Sequence, residues 1–104
     1  MAANAHFSIG DLVHHKLFDY RGVIIDVDPR LMLSNEWYET VARSRPPKDQ
    51  PWYCVLVHEA THETYVAERN LEPDTSGAPV QHPLIETCFR SFSDGHYLTA
   101  GRMN

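Results

Sequence analysis

The stretch Val13-His14-His15-Lys16-Leu17-Phe18-Asp19-Tyr20-Arg21-Gly22-Val23-Ile24-Ile25-Asp26-Val27-Asp28-Pro29 decides how the rest of the chain is read. Gly10-Asp11 opens a strand around Leu12 to His15, an aromatic turn through Phe18-Asp19-Tyr20 reverses the chain, and a second strand runs from Gly22 to Asp28. In that second strand Val23, Ile25 and Val27 alternate with Gly22, Ile24 and Asp26, the period of two that gives a strand one core-facing side. Gly22 near the strand start suggests a bulge or sharp bend, the device that turns a corner in a small barrel. Pro29 cannot donate to a ladder and ends it.

Working outward, Ser34 or Asn35 offers a helix cap, and Glu36 to Arg43 places Trp37, Tyr38 and Val41 on one helical face behind an acidic first turn. Pro46-Pro47-Lys48-Asp49-Gln50-Pro51 stops this short helix and forms a stiff connector. Trp52 to Val57 and Thr61 to Ala67 then read as a hairpin turning near Glu59-Ala60, and the first of these strands is apolar on both faces, hence central. Val23, Ile25, Val27, Val55, Val57 and Val66 are expected to share one barrel core, with Tyr65 at its margin. Residues 73–81 read as a turn-rich linker, and beyond it Leu84, Ile85, Cys88, Phe89 and Phe92 fall at helical spacing, predicting a helical segment within 82–104 that docks on the barrel.

A chain of 104 residues is one domain by length, and a domain of this size buries roughly two-thirds of the surface its unfolded chain exposes. Neither a targeting segment near Met1 nor an apolar run of about 18 residues is visible, which predicts a soluble cytoplasmic protein without a membrane anchor. The two cysteines, Cys54 and Cys88, lie far apart and form neither a disulfide framework nor a thiolate metal pair. A net charge of −5 repels phosphate, whereas a dedicated nucleic-acid binder presents a basic face.

His58-Glu59-Ala60-Thr61-His62 is a literal H-E-x-x-H, whose zinc chemistry requires a helix to bring both imidazoles to one metal. Its neighbours Trp52, Tyr53, Val55, Val57, Thr64, Tyr65 and Val66 are strand-forming types, so the match is expected to straddle a hairpin turn. His14 and His15 are adjacent on a strand and point to opposite faces. Asp26 and Asp28 share a face but have no nucleophile or base to complete a site. No catalytic constellation, metal set or cofactor motif emerges, and the expectation is a protein that is not an enzyme. Arg43, Arg45 and Lys48, with Lys16 and Arg21 on the first hairpin, are the candidate contacts for a partner or for DNA phosphates, weighed against charges that merely favour a helix C-terminus. Phe18, Trp52, Tyr53 and Tyr65 offer a stacking platform or, more commonly in a domain this small, core.

The stretch from Val13 to Pro29, together with Pro51-Trp52-Tyr53-Cys54-Val55-Leu56-Val57 and Thr64-Tyr65-Val66-Ala67-Glu68-Arg69-Asn70-Leu71, resembles the HspQ family, also described as YccV-like or hemimethylated-DNA-binding. The resemblance runs from about Phe7 to Leu71, with a weaker echo at His82-Pro83. It implies a mainly β fold, a small, partly open SH3-like barrel over about 7–72, to which the sequence adds one inserted short helix and a short C-terminal helix. It also implies a heat-shock-associated factor of the stress response that modulates degradation of selected, denatured proteins by an ATP-dependent protease such as Lon. The alternative it carries is DNA binding with preference for hemimethylated sites. The acidic balance favours protein partners, docked on an exposed strand edge or apolar patch, and a homo-oligomer is compatible with either role. The end of the chain departs from the short members, which finish in a basic, polar tail: here Phe89, Phe92 and Tyr97 make it aromatic.

Overall fold

The computed structural model describes residues 5–42 and 44–99. Strands β1 (Leu12–His15) and β2 (Arg21–Asp28) form the first hairpin, followed by helix α1 (Asn35–Val41). Strands β3 (Trp52–Val57) and β4 (Glu63–Ala67) form the second, and a 3-10 turn over Glu68–Asn70 leads into β5 (Leu71–Pro73). A one-turn helix α2 (Ile85–Cys88) precedes a third hairpin, β6 (Phe89–Ser93) and β7 (His96–Thr99). The first five strands make an antiparallel sheet ordered β4-β3-β2-β1-β5, and β6 and β7 pair with each other. The sheet curls enough for the Tyr20 hydroxyl, beside β1, to reach Thr64 Oγ1 on β4 at 2.6 Å. Its edges β4 and β5 are not joined in a ladder, so the mainly β fold is a partly open barrel.

Both faces of the sheet are buried, which the alternation in β2 does not reveal. The register against β3 shifts between Ile24 and Asp26, leaving Ile25 as the extra residue of a bulge. Ile24 and Val27 therefore look the same way despite standing three apart. They pack with Val13, Tyr53, Val55, Val66 and Leu71 inside the barrel, while Val23 and Ile25 face a second cluster with Leu12, Leu56, Val80, Phe89 and Tyr97. Val23, Ile25, Val27, Val55 and Val66, expected to share a single core, are thus divided between two clusters, and Ile25 is half-buried where Ile24 is fully enclosed.

Gly22 is not the bulge. A Cβ there would lie 2.4 Å from Val55 Cγ1 and 2.6 Å from the Leu56 carbonyl oxygen, so its role is close approach of β2 to β3.

The C-terminal segment departs most from expectation. The helix is present but ends at Cys88, and Phe89 and Phe92 lie on a strand. Asp94 and Gly95, both in the left-handed region at φ of 54° and 73°, make the two-residue turn that Asp-Gly dipeptides favour in hairpins. This hairpin docks on the barrel: Tyr97 N–H donates to the Gly10 carbonyl at 3.0 Å, and the Tyr97 hydroxyl lies 3.0 Å from the Val80 nitrogen and 3.2 Å from its carbonyl oxygen. Residues 73–81 are not a bare linker, because Pro73 ends a strand and Val80 is core.

Helix α1 starts as its cap requires, with Ser34 Oγ accepting from Trp37 N–H at 3.1 Å. Tyr38 enters a third cluster with Trp52 and Ala67. The Tyr38 hydroxyl and the Trp52 indole N–H donate to the carbonyls of Pro46 and Pro47, so the proline-rich connector is fixed by the aromatic pair it passes over. Val41, expected on the packed face, is exposed.

Candidate functional site

His58 to His62 forms the turn between β3 and β4, with Glu59 at φ of 60°. The H-E-x-x-H match therefore never acquires the helical spacing its metal chemistry needs. His58 Nδ1 accepts the Gln81 N–H at 2.9 Å, and His82 Nε2 contacts the His62 carbonyl oxygen at 3.0 Å, so these imidazoles tie the turn to the chain leaving β5. Among the described residues no group of three or more His, Cys, Asp or Glu side chains is arranged to hold a metal ion.

The basic candidates have different partners. Arg21 is held by Asp74 at 2.8 Å and by the Ala78 carbonyl, pinning the segment after β5. Lys16 is exposed and lines a pocket with Pro47, Gln50, Glu68 and Arg69. Arg45 pairs with Glu39, and Lys48 Nζ sits 4.5 Å from the centroid of Tyr38 and 3.2 Å from Asn35 Oδ1. Arg45 and Lys48 thus flank one aromatic ring, and Arg43 lies outside the described residues.

An apolar groove of about 800 Å³ lies between the β1–β2 loop, helix α1 and strand β4. Phe18, Leu33, Trp37, Val41 and Tyr65 contribute to its walls. Phe18 is 69% exposed and Val41 53%, unusual for side chains that cost free energy in water. Beneath them Trp52 and Tyr65 stack at 5.3 Å between centroids, with Trp37 edge-on to both. Of the suggested stacking platform, Trp52 and Tyr53 are core, whereas Tyr65 and Phe18 belong to this groove. Trp37 and Val41 share one helical face, and that face forms a wall of the groove.

The described lining of the groove carries acidic side chains. Among the described residues its lining includes Asp28 and Glu63 and no lysine or arginine. Burial first, then the neighbouring Glu63, Asp26 and Asp28 carboxylates, push the Cys54 thiol up to about 11, keeping it protonated at neutral pH. The Tyr65 hydroxyl donates to Asp28 Oδ2 at 2.6 Å and accepts from Met32 N–H at 3.1 Å, fixing that end.

Two adjacent histidines hold the Phe18 wall. His15 is buried, stacks on Phe18 at 4.7 Å, and its Nδ1 accepts the N–H groups of Leu17 and Phe18, each at 3.1 Å. His14 faces the other way and places its ring nitrogens 2.6 Å from Asp19 Oδ1 and 2.7 Å from Glu72 Oε2. The hydrogen bonds to Asp19 and Glu72 raise the His14 pKa above 6.5, while burial, then His14 itself, lowers that of His15. His14 stabilises the fold fully below about 6.5 and loses that contribution as pH rises through its raised value. His15 acts oppositely: below about 6.5 the unfolded chain takes up a proton that the buried ring refuses, so stability falls as pH drops towards its lowered value. NMR titration should therefore resolve one imidazole changing above 6.5 and one below. The loop should hold best between the two transitions. A coincident titration of both rings would contradict this arrangement.

A family model described as YccV-like, hemimethylated DNA-binding protein YccV like, matches residues 5–96. The chain belongs to the YccV-like family. The match includes the β6 strand and the start of β7, so the C-terminal hairpin stands largely inside the family's extent rather than beyond it. The YccV-like chain is also similar to F-box only protein 21 from Homo sapiens and from Mus musculus, 33% identical over 94 residues in each case. That alignment covers 88% of this chain and 15% of those proteins, so the chain spans about a seventh of the length of the curated relatives it matches. Among the described residues no helix is long and apolar enough to cross a membrane.

Proposed function

We propose that this YccV-like chain is a protein-interaction module, without catalytic activity of its own, that holds a segment of a partner in the groove walled by Phe18, Trp37, Val41 and Tyr65. One observation carries the reading: a large apolar concavity with exposed aromatic and aliphatic walls and, among its described lining residues, the carboxylates of Asp28 and Glu63. Its chemistry suits a polypeptide and opposes a phosphate backbone. The finer role is that of a cytoplasmic, heat-shock-associated factor that changes how fast an ATP-dependent protease such as Lon degrades selected, denatured proteins. The resemblance of the first hairpin and of β3 and β4 to the HspQ family supports that role. Degradation of several clients by purified Lon, with and without the chain, tests it. Turnover of some clients and not others should change, and Phe18→Ala combined with Val41→Asp should abolish the effect while the variant stays folded. If no client responds, or the double variant acts like the parent chain, the reading fails.

The family's description as hemimethylated-DNA-binding favours a second reading, with Arg45 and Lys48 as its nearest phosphate contacts. With a net charge of −5, binding to duplex DNA at physiological salt is expected to be no tighter than about 10⁻⁴ to 10⁻⁶ M and to weaken steeply as salt rises. Nanomolar affinity that separates hemimethylated from fully methylated duplex in a gel-shift titration would promote this second reading over the first.

A further inference from the structure

Strand β4 ends the sheet, and its geometry towards the groove is specific. All five of its residues, Glu63 to Ala67, line the groove although their side chains alternate between faces. The edge of the strand, rather than either face, therefore looks into it. Val57 N–H donates to the His62 carbonyl and Glu68 N–H to the Pro51 carbonyl, which sets the phase of the β3–β4 ladder. In an antiparallel pair every second residue bonds inward, so Thr64 and Val66 bond to β3. The N–H and C=O groups of Glu63 and Tyr65 point away from it. Among the described residues these four groups have no other hydrogen-bond partner.

Three properties thus meet in one place: an unpaired strand edge, an apolar wall of Phe18, Trp37 and Val41, and the carboxylates of Glu63 on β4 and Asp28 on β2 among the described lining residues. We infer that the groove takes an extended segment of a partner protein, which adds to β4 as a sixth strand, buries alternate apolar side chains against Trp37 and Phe18, and sets an arginine or lysine against Asp28 and Glu63. This rests on the groove being the binding surface. Main-chain hydrogen bonds to a sheet edge supply affinity largely independent of sequence, and the pockets beside the edge read every second side chain. An amphipathic helix would use the wall but leave the β4 edge unpaired. A nucleic acid would bring phosphates against the carboxylates. The extended cationic segment satisfies the edge, the wall and the charge together.

The test is selection of a phage-displayed library of random segments of about ten residues, the length of a long strand, against the intact chain. Enriched sequences should carry apolar residues at every second position and an arginine or lysine towards one end. A synthetic peptide of the leading sequence should lose about tenfold or more in affinity, the equivalent of one lost strong contact, when its basic residue is changed to glutamate. Glu63→Lys in the protein should have the same effect. N-methylation of the peptide should weaken binding at one set of alternate positions and not at the other, because only one set faces β4.

Enrichment of apolar residues three and four apart, of acidic sequences, or of nothing would overturn the inference. So would equal tolerance of N-methylation at both sets. Concentration-dependent dimerisation in sedimentation velocity, lost in Phe18→Ala, would assign the groove to a second copy of the chain and overturn it as well. If these peptide results fail while Phe18→Ala with Val41→Asp still abolishes the effect on client degradation, the groove remains a docking surface and only the extended cationic occupant is wrong.

Discussion

A chain ended after Pro79 is expected to lose cooperative folding. The removed part supplies Val80, Phe89 and Tyr97, which cover Leu12, Val23 and Leu56 on one face of the sheet. Val23 and Leu56 are fully enclosed there. Burying a side chain of this size contributes about 1.5–3 kcal/mol, so losing three of them takes away an amount comparable to the whole stability of a small domain, about 5–15 kcal/mol. The Tyr97 hydroxyl, bonded at Val80, and the Tyr97 to Gly10 backbone bond would go too. Circular dichroism during heating should show a broad, non-cooperative change or precipitation in place of a single melt. Retention of a sharp transition near that of the full chain would mean that the five-stranded sheet is self-sufficient and that its second face tolerates water. The aromatic hairpin of Phe89 and Tyr97 is, on this view, a structural cover for one face of the sheet.

Ile24→Ala should cost about 2–5 kcal/mol, as truncation of a large, fully enclosed aliphatic side chain does. The neighbouring Ile25→Ala should cost markedly less, about 1–2 kcal/mol, because Ile25 is only partly covered. Urea denaturation of both variants decides the matter through their midpoints, provided the slopes match that of the parent chain. The order is the informative part. Strict alternation through β2 puts Ile25 in the core and Ile24 outside it, so a larger loss at Ile25 would show that the bulge is absent in solution.

The same physics explains the two places where the sequence pattern misleads. In β2 the extra residue at Ile25 brings Ile24 and Val27 onto one face. In β6 the register against β7 shifts between Phe89 and Ser91, so that Phe89 and Phe92, also three apart, both pack against Tyr97. A bulge adds one to the strand period of two locally, and apolar residues three apart then imitate a helix. The Asp94-Gly95 dipeptide is the countersignal, since a two-residue turn between strands is its commonest use. The stop at Pro29, the cap at Ser34 and the hairpin around His58 to His62 are legible for a simpler reason. Each depends on the backbone chemistry of a few adjacent residues, and tertiary contacts have little power to change it.

The candidate site behaves otherwise. Of the basic residues that stand out in the sequence, Arg21 is held by Asp74, Arg45 and Lys48 flank Tyr38, and Lys16 lines a pocket with Pro47 and Gln50, placements that charge type alone does not foretell. Phe18 and Tyr65 were visible as aromatic, but whether an aromatic is core or wall depends on what covers it. What the sequence by itself determined is the mainly β, partly open fold, the positions of its first four strands and inserted helix, and membership of the YccV-like family, since periodicity, caps and breakers act within a few residues of one another. Only the tertiary structure decided that the sheet has two buried faces, that the end of the chain covers one of them, and that β4 is left as an open edge beside an apolar groove. Those outcomes turn on the curl of the sheet and on contacts between segments many residues apart, which no local pattern encodes.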